Sequence, residues 1–324
     1  MKRKKIALGI LVFLVFLQLV QLFPVWDAAG AAQEVQSGSA VEEAPSKVTF
    51  SAPKLKPEDY PRLGWVSSRE AVWVAAQLHL FFGAFVLAVP IFVIVIEGIG
   101  MAIKDERYDH IAHEIMKVSM TAFSLTALTG GLFTFFLITL YPDFMKYLMR
   151  IFQPTVIFYV LAFLGEAVVC YTYYYSWDAL RYGTRKWIHL TLGLLLNTFG
   201  MSILFIADAW TGFMMTPMWL DAAGSPISDN IWTYIRNPFW NPLNLHRFIA
   251  NIAYGGAIVG AYAAYKFLSS TTDEERAHYD WMGYTSNIMA ISALLPLPFA
   301  GYILMAEIYA YSQQMGITAM GGIF

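Results

Sequence analysis

Residues 67–101 read SSREAVWVAAQLHLFFGAFVLAVPIFVIVIEGIGM, and this stretch decides the fold. A helix needs about 20 apolar residues to cross a bilayer. This run supplies them while holding one histidine, His79. An imidazole in hydrocarbon must be paired, hydrated or bound to a metal, so an intramembrane ionisable residue is a candidate functional group. Ser67 and Glu70 have capping-box spacing, which predicts a helix starting there. His79 then lies about three turns in, near one membrane face. Glu97, followed by Gly98-Ile99-Gly100, closes the other end.

The rest of the chain repeats the pattern. Of its 324 residues 58% are hydrophobic and only 14% charged, far more apolar than a soluble domain of this length. The formal net charge is -2, with charges in short clusters between apolar runs, so no basic surface for nucleic acid is present. The single cysteine, Cys170, falls inside an apolar run. It offers neither a disulfide framework nor a thiolate metal site and reads as a small buried apolar residue.

Met1 to Lys5, MKRKK, precedes an apolar run to Trp26. Residues 1–26 read as an N-terminal membrane anchor with its basic end in the cytoplasm, or as a signal peptide cleaved after the alanines that follow. Residues 27–66 have too little apolar content to fold alone and read as an extracytoplasmic linker, stiffened by Pro53, Pro57 and Pro61. Six apolar runs follow: Ala71 to Met101, Met116 to Tyr141, Pro154 to Ser176, Trp187 to Ala207, Leu245 to Phe267 and Trp281 to Ala306. The expected fold is an all-α integral membrane protein, a six-helix transmembrane bundle over 67–312 plus the anchor, ending in a C-terminal tail, 313–324. With the N-terminus inside, the connections 104–114, 178–186 and 268–280 are cytoplasmic. The middle one carries Arg181, Arg185 and Lys186, as the positive-inside rule expects. The longest outer connection, 208–244, holds Trp210, Trp219, Trp232 and Trp240, which suit the headgroup zone.

Topology assigns depth. His79 and His246 both lie near the outer face, on different helices. Neutral imidazole is a standard axial ligand of haem iron, and bundles build cofactor sites from facing side chains, so the pair has a haem-ligand pattern. The alternative is that each bonds a neighbouring helix or sits in the wet interface. Glu166, in AFLGEAVV, lies near the midplane, where a carboxylate must be protonated, metal-bound or on a water path. Glu97 and Lys117, near the cytoplasmic ends of the first two bundle helices, read as snorkelling side chains or as entry to a proton path. His189 lies near the inner face and cannot share a haem with His79 or His246. His110, His113 and Glu114 have metal-ligand spacing, but no further Cys or His completes a set, so they read as a solvated helix start, as does His278 in its charged loop. Asn197, Ser202 and Asn251 read as interhelical hydrogen-bond partners.

In this order, the helices resemble subunit I of the cytochrome bd quinol oxidases, over roughly Arg69 to Phe267. QLHLFF, with Glu97 eighteen residues after the histidine, resembles the first helix of that family. LTGGLFTFF around Gly130 resembles the second, with Lys117 where the family carries a lysine. AFLGEAVV followed by SWDALR resembles the third, NTFGMSILFIADAW the fourth, and NLHRFIANIAYGGAIVGAYAAY the fifth. The resemblance implies that His79 is an axial ligand in a high-spin haem pair, His246 a ligand of low-spin haem b, and Glu166 a carboxylate serving haem and proton chemistry.

Two departures qualify it. A further glutamate that the family carries two turns before Glu166 is replaced here by Phe158. The sequence also stops at Phe324, before the family's quinol-binding loop and last three helices.

The expectation is therefore a haem b electron-transfer subunit in a bacterial inner membrane, moving electrons between the quinone pool and a partner. Its iron ligands are His79 and His246, with Glu166, Glu97 and Lys117 on the proton side. Expected partners are quinol, other membrane subunits that supply missing helices and haem ligands, and a periplasmic or membrane-anchored cytochrome c. A dioxygen-reducing quinol oxidase subunit and a haemless scaffold with the same fold are the alternatives.

Overall fold

The computed structural model describes residue 56 and residues 59–319. The expected anchor, and the linker before that point, lie outside the described residues. Strands β1 (Arg62–Leu63) and β2 (Val66–Ser67) form a short antiparallel pair. The named elements after them are all helices: α1 (Ser68–Ile103), α2 (Glu106–Leu140), α3 (Pro142–Tyr175), α4 (Trp177–Leu180), α5 (Arg185–Met215), α6 (Ile231–Ile235), α7 (Trp240–Ser269), α8 (Asp273–Leu294), α9 (Leu297–Tyr311) and α10 (Gln313–Ala319).

Among the described residues, six spans are long and apolar enough to cross a membrane: α1, α2, α3, α5, α7, and α8 with α9. They coincide with the six expected apolar runs and extend beyond them. The capping box is present, with the Ser67 hydroxyl accepting from the Glu70 N–H and the Ser67 N–H donating to Glu70 Oε2 at 2.9 Å. α1 ends where Lys104 adopts a left-handed conformation (φ 59°). Asp105 then caps α2, and Pro142 opens α3 at a position where its missing N–H costs nothing.

Boundaries differ from expectation where charged residues continue helices. α2 begins at Glu106 and α8 at Asp273, ahead of the apolar runs, and His110, His113, Glu114 and His278 lie near these helix starts, as their reading as solvated helix starts expects. α5 runs to Met215 and α7 starts at Trp240, so Asp208 and Asn244 lie inside helices and the long connection shrinks to 216–239.

α1 is the axis of the bundle. From Phe85 to Gly98 every residue except Leu87 is buried, and a helix that is apolar all round belongs in a core. It packs on α2, α5 and α7, while α7 also holds α8 and α9, and α3 packs on α5. The main core joins Val89, Phe92 and Ile96 of α1 to Ile115 and Met116 of α2, Tyr173 of α3 and Val259 of α7. Small residues set the closest approaches, as membrane helices require when lipid is as apolar as any side chain. A Cβ on Gly255 would come within 2.7 Å of the Ala88 carbonyl oxygen, and one on Gly256 within 2.7 Å of the Ser286 carbonyl oxygen and the Ala290 nitrogen. Pro90 lies inside α1 and gives no N–H to the carbonyl one turn earlier. Asn197 of α5 ties this region by donating to the Pro90 carbonyl at 3.2 Å and to its own Gly193 carbonyl at 2.8 Å, the interhelical role its sequence position suggested.

A leucine at Gly256 should push α7 off α8 and cost about 1–3 kcal/mol, as overpacking generally does. The effect is expected as a lowered melting temperature in detergent. A leucine at Gly131, where a Cβ has nothing within 4 Å, should leave the melting temperature unchanged.

Candidate functional site

The α1–α7 contact fixes where the two expected haem ligands point. Consecutive spans alternate in direction, so α1 and α7, the first and fifth, run parallel. His79 is nine residues before Ala88 and His246 nine before Gly255, and Ala88 and Gly255 touch. Nine residues of helix rise about 13–14 Å and turn about two and a half revolutions. The histidines therefore share a depth, as expected, and each lies on the side of its helix away from the α1–α7 contact. Their neighbours agree: a Cβ on Gly130 of α2 would sit 2.8 Å from His79 Cε1, and one on Gly301 of α9 would sit 3.5 Å from His246 Cε1. Facing away from each other across two helices, they make two positions, and no single iron takes both.

His79 is half-buried against α2, with Nδ1 3.2 Å from the Thr126 carbonyl oxygen. That carbonyl can only accept, so Nδ1 carries the hydrogen and Nε2 keeps its lone pair, with no partner among the described residues. A histidine held by one nitrogen with the other free is the usual arrangement of a metal-ligating imidazole. His246 has no hydrogen-bond partner among the described residues, and its Nδ1 is buried. An orphaned buried nitrogen is costly, and one axial ligand bond to iron would occupy a ring nitrogen here. Both residues fit haem ligation, His79 with its ring already oriented. Beside His246, Arg247 pairs with the fully buried Asp208 of α5, a contact the sequence reading missed by placing Asp208 in a loop.

Glu166 is buried in a narrow cleft between α1, α3 and α5, lined by Val86, Pro90, Asn197 and Gly200. A Cβ on Gly200 would lie 3.0 Å from its Oε1, so the glycine makes room for the carboxyl group. Phe158, where the resemblance puts a further glutamate, is 65% exposed on the outside of α3 and does not share the cleft.

Glu97 is the largest correction. It does not snorkel: it is 1% exposed, at the centre of a polar cluster. The Tyr173 hydroxyl donates to its Oε2, and Lys186 Nζ lies 2.6 Å from its Oε1. His189 Nδ1 lies 2.5 Å from the same oxygen. Lys186 also binds Asp109, which takes Arg181 at 3.1 Å and the Trp177 indole N–H at 3.2 Å. Lys117 is exposed on α2 and takes no part in this cluster. His189 was rightly separated from His79 and His246 by depth, but its partnership with Glu97 was missed. One signal was available, since His189, Gly193 and Asn197 repeat at one-turn spacing and form a single stripe on α5. His113 stacks on Trp177 at 4.9 Å and binds no metal-type cluster among the described residues.

Removing the cation that Glu97 and Asp109 share takes one charge partner from each, and breaking a buried pair in this way typically costs about 3–5 kcal/mol. Lys186→Met should therefore strongly lower stability in detergent unfolding. Lys146→Met, whose pair with Asp143 is 74% and 55% exposed, should change it by less than about 1 kcal/mol.

The sequence pattern described as "Cytochrome bd terminal oxidase subunit I" matches residues 67–324. A Bacillus subtilis (strain 168) protein, "Putative cytochrome bd menaquinol oxidase subunit I", is 25% identical over 215 residues, covering 66% of this chain and 47% of that protein. The bd oxidase from Geobacillus thermodenitrificans superposes with a TM-score of 0.68 at 18% identity, over 76% of this chain and 56% of that one. The chain thus spans about half the length of these relatives. The expected membrane bundle is the observed one, and from its capping serine onward this multi-pass chain belongs to the cytochrome bd terminal oxidase subunit I family.

Proposed function

We propose that the chain is a haem b-binding electron-transfer subunit of a respiratory complex, moving electrons between the quinone pool and a partner. The observation that carries this reading is the His79 ring, anchored through Nδ1–H to Thr126 and leaving Nε2 free at the depth of His246. When bound, haem supplies reversible one-electron exchange. The chain's own residues do the rest. His79 and His246, at one depth on opposite sides of the α1–α7 pair, would each hold a haem iron. The Thr126 carbonyl sets the His79 tautomer, and Gly130 leaves room for the ring. Glu166 holds a proton at its carboxyl group in the water-poor seam of α1, α3 and α5. Glu97 takes up protons at the far end of the bundle, with Lys117 on the surface between.

The membrane is the bacterial inner membrane, with the N-terminus cytoplasmic, which puts the histidines toward the outer face and the Glu97 cluster toward the cytoplasm. Quinol is the donor or product. Other membrane subunits cover the apolar rim beside His79, where Leu78, Leu80 and Phe81 are 46%, 47% and 54% exposed, and a periplasmic or membrane-anchored cytochrome c is the soluble-side partner.

Reduced-minus-oxidised spectra of the purified complex test the reading. His246→Ala should abolish a low-spin haem b signal and His79→Ala a second haem signal, both with assembly intact. A native preparation without haem would leave the reading without support.

A further inference from the structure

The Glu97 cluster holds a proton whose position the contacts define. His189 is fully buried, and both of its ring nitrogens face oxygens. Nε2 is 3.0 Å from the Tyr173 backbone carbonyl, and Nδ1 is 2.5 Å from Glu97 Oε1. A backbone carbonyl has no hydrogen to give, so Nε2–H donates to it. At the other nitrogen two lone pairs cannot meet at that separation, so a second proton lies between Nδ1 and Oε1. Glu97 already accepts from the Tyr173 hydroxyl at Oε2 and from Lys186 at Oε1, so both of its oxygens are engaged as acceptors. The second proton therefore belongs to the ring, and His189 is an imidazolium.

The charged groups around it come from α1, α2, α4 and α5. The carboxylates are Glu97 of α1, Asp109 of α2 and Asp178 of α4; the permanent cations are Lys186 of α5 and Arg181. The remaining groups against the ring are neutral: Tyr173 stacks on it at 4.2 Å and Trp177 meets it edge-on at 4.5 Å. The two buried carboxylates, Glu97 and Asp109, are matched by Lys186 and Arg181, and Asp178 is solvated, so the proton on His189 is held by its contact with Glu97 rather than by the net charge.

The cluster also reaches water in steps. Side-chain exposure falls from 85% at Asp178 to 16% at Arg181, 13% at Asp109, 7% at Lys186 and zero at Glu97 and His189. Each neighbouring pair is in ion-pair contact.

We propose that Glu97 and His189 form a buried proton-holding pair that exchanges its proton with water through Asp109 and Lys186. In loading, a proton from water joins the Asp109 carboxylate. Asp109 passes it to Lys186 as the ammonium releases one of its own to Glu97, and Glu97 hands it to His189 Nδ1. No electron moves, and Lys186 ends as it began. In unloading the order reverses, and the Nδ1–Oε1 contact opens because nothing remains to hold it. This gives the role proposed for Glu97 a named partner, His189, and rests on that reading only for what the proton serves.

The test uses the full-length chain in lipid, with ¹³C-isoleucine and ¹⁵N-histidine. Ile188–His189 is the sole Ile–His pair in the sequence, so its signal is identified without mutation. Both ring nitrogens should be protonated at neutral pH, with or without haem. A singly protonated ring in the unaltered chain overturns the proposal while leaving the haem spectra, and the reading built on them, untouched. Glu97→Gln should convert His189 to the neutral ring, and an unchanged doubly protonated ring also overturns the pair. Lys186→Met should slow hydrogen–deuterium exchange of the ring at least tenfold. If that variant does not assemble, Asp109→Asn should slow it in the same way, and unchanged exchange in an assembled variant overturns the route.

Discussion

The close approach of α7 to α1 at Gly255 and the Ala88 carbonyl is the constraint on which the rest depends. It requires a residue without a side chain on one helix and a small one on the other, and it locks two parallel spans at a fixed height and rotation. Once locked, the helical repeat determines that His79 and His246 share a depth and diverge in direction. Because α1 is a single helix from Ser68 to Ile103, the same contact fixes Glu97 at the far end of the molecule. Two chemistries, imidazole at one end and a charge cluster at the other, are thus referenced to one backbone contact.

A charge cluster inside a bundle that crosses hydrocarbon is tolerated because its members satisfy one another. Lys186 bridges two carboxylates, Trp177 closes one of them with an indole N–H, and the aromatic faces of Tyr173 and Trp177 wall off the histidine. Buried pairs of this kind contribute little net stability compared with apolar packing but are costly to break. Their value here is positional, since five segments of chain meet at Glu97 and Asp109 and none can slide without separating charges.

Much of this was legible in the sequence. The six spans followed from apolar run length, the start of α1 from Ser67 and Glu70, and the common depth of the histidines from alternation of direction. Asn197 was identified as an interhelical donor. What was not legible depended on azimuth and on charges near helix ends. Asp109 and Lys186 sit in stretches whose local polarity reads as loop, and only three-dimensional packing shows that they point inward. Asp208 was hidden for the same reason, because a carboxylate next to Trp210 at the end of an apolar run resembles an interfacial residue until Arg247 is found beside it. Glu97 was assigned to the right end but the wrong surroundings, since one-dimensional depth does not distinguish a side chain reaching for water from one enclosed by Tyr173, Lys186 and His189. Directions around a helix axis are a pairwise property, and a single sequence encodes them only through partners far away in it.

The sixth span is two helices rather than one, and the break after Leu294 has a consequence for how the chain tolerates change. α8 is pinned to α7 by the Gly256 contact with Ser286 and Ala290, whereas α9 meets α7 separately, laying Gly301 against His246 and Leu304 and Ile308 against Phe239 and Leu243. A rigid helix would transmit any shift at Gly301 down its length into the α7–α8 seam. The turn at Leu295–Pro296 interrupts that lever. The packing around His246 is therefore set by α9 separately from the seam that holds α7 to α8.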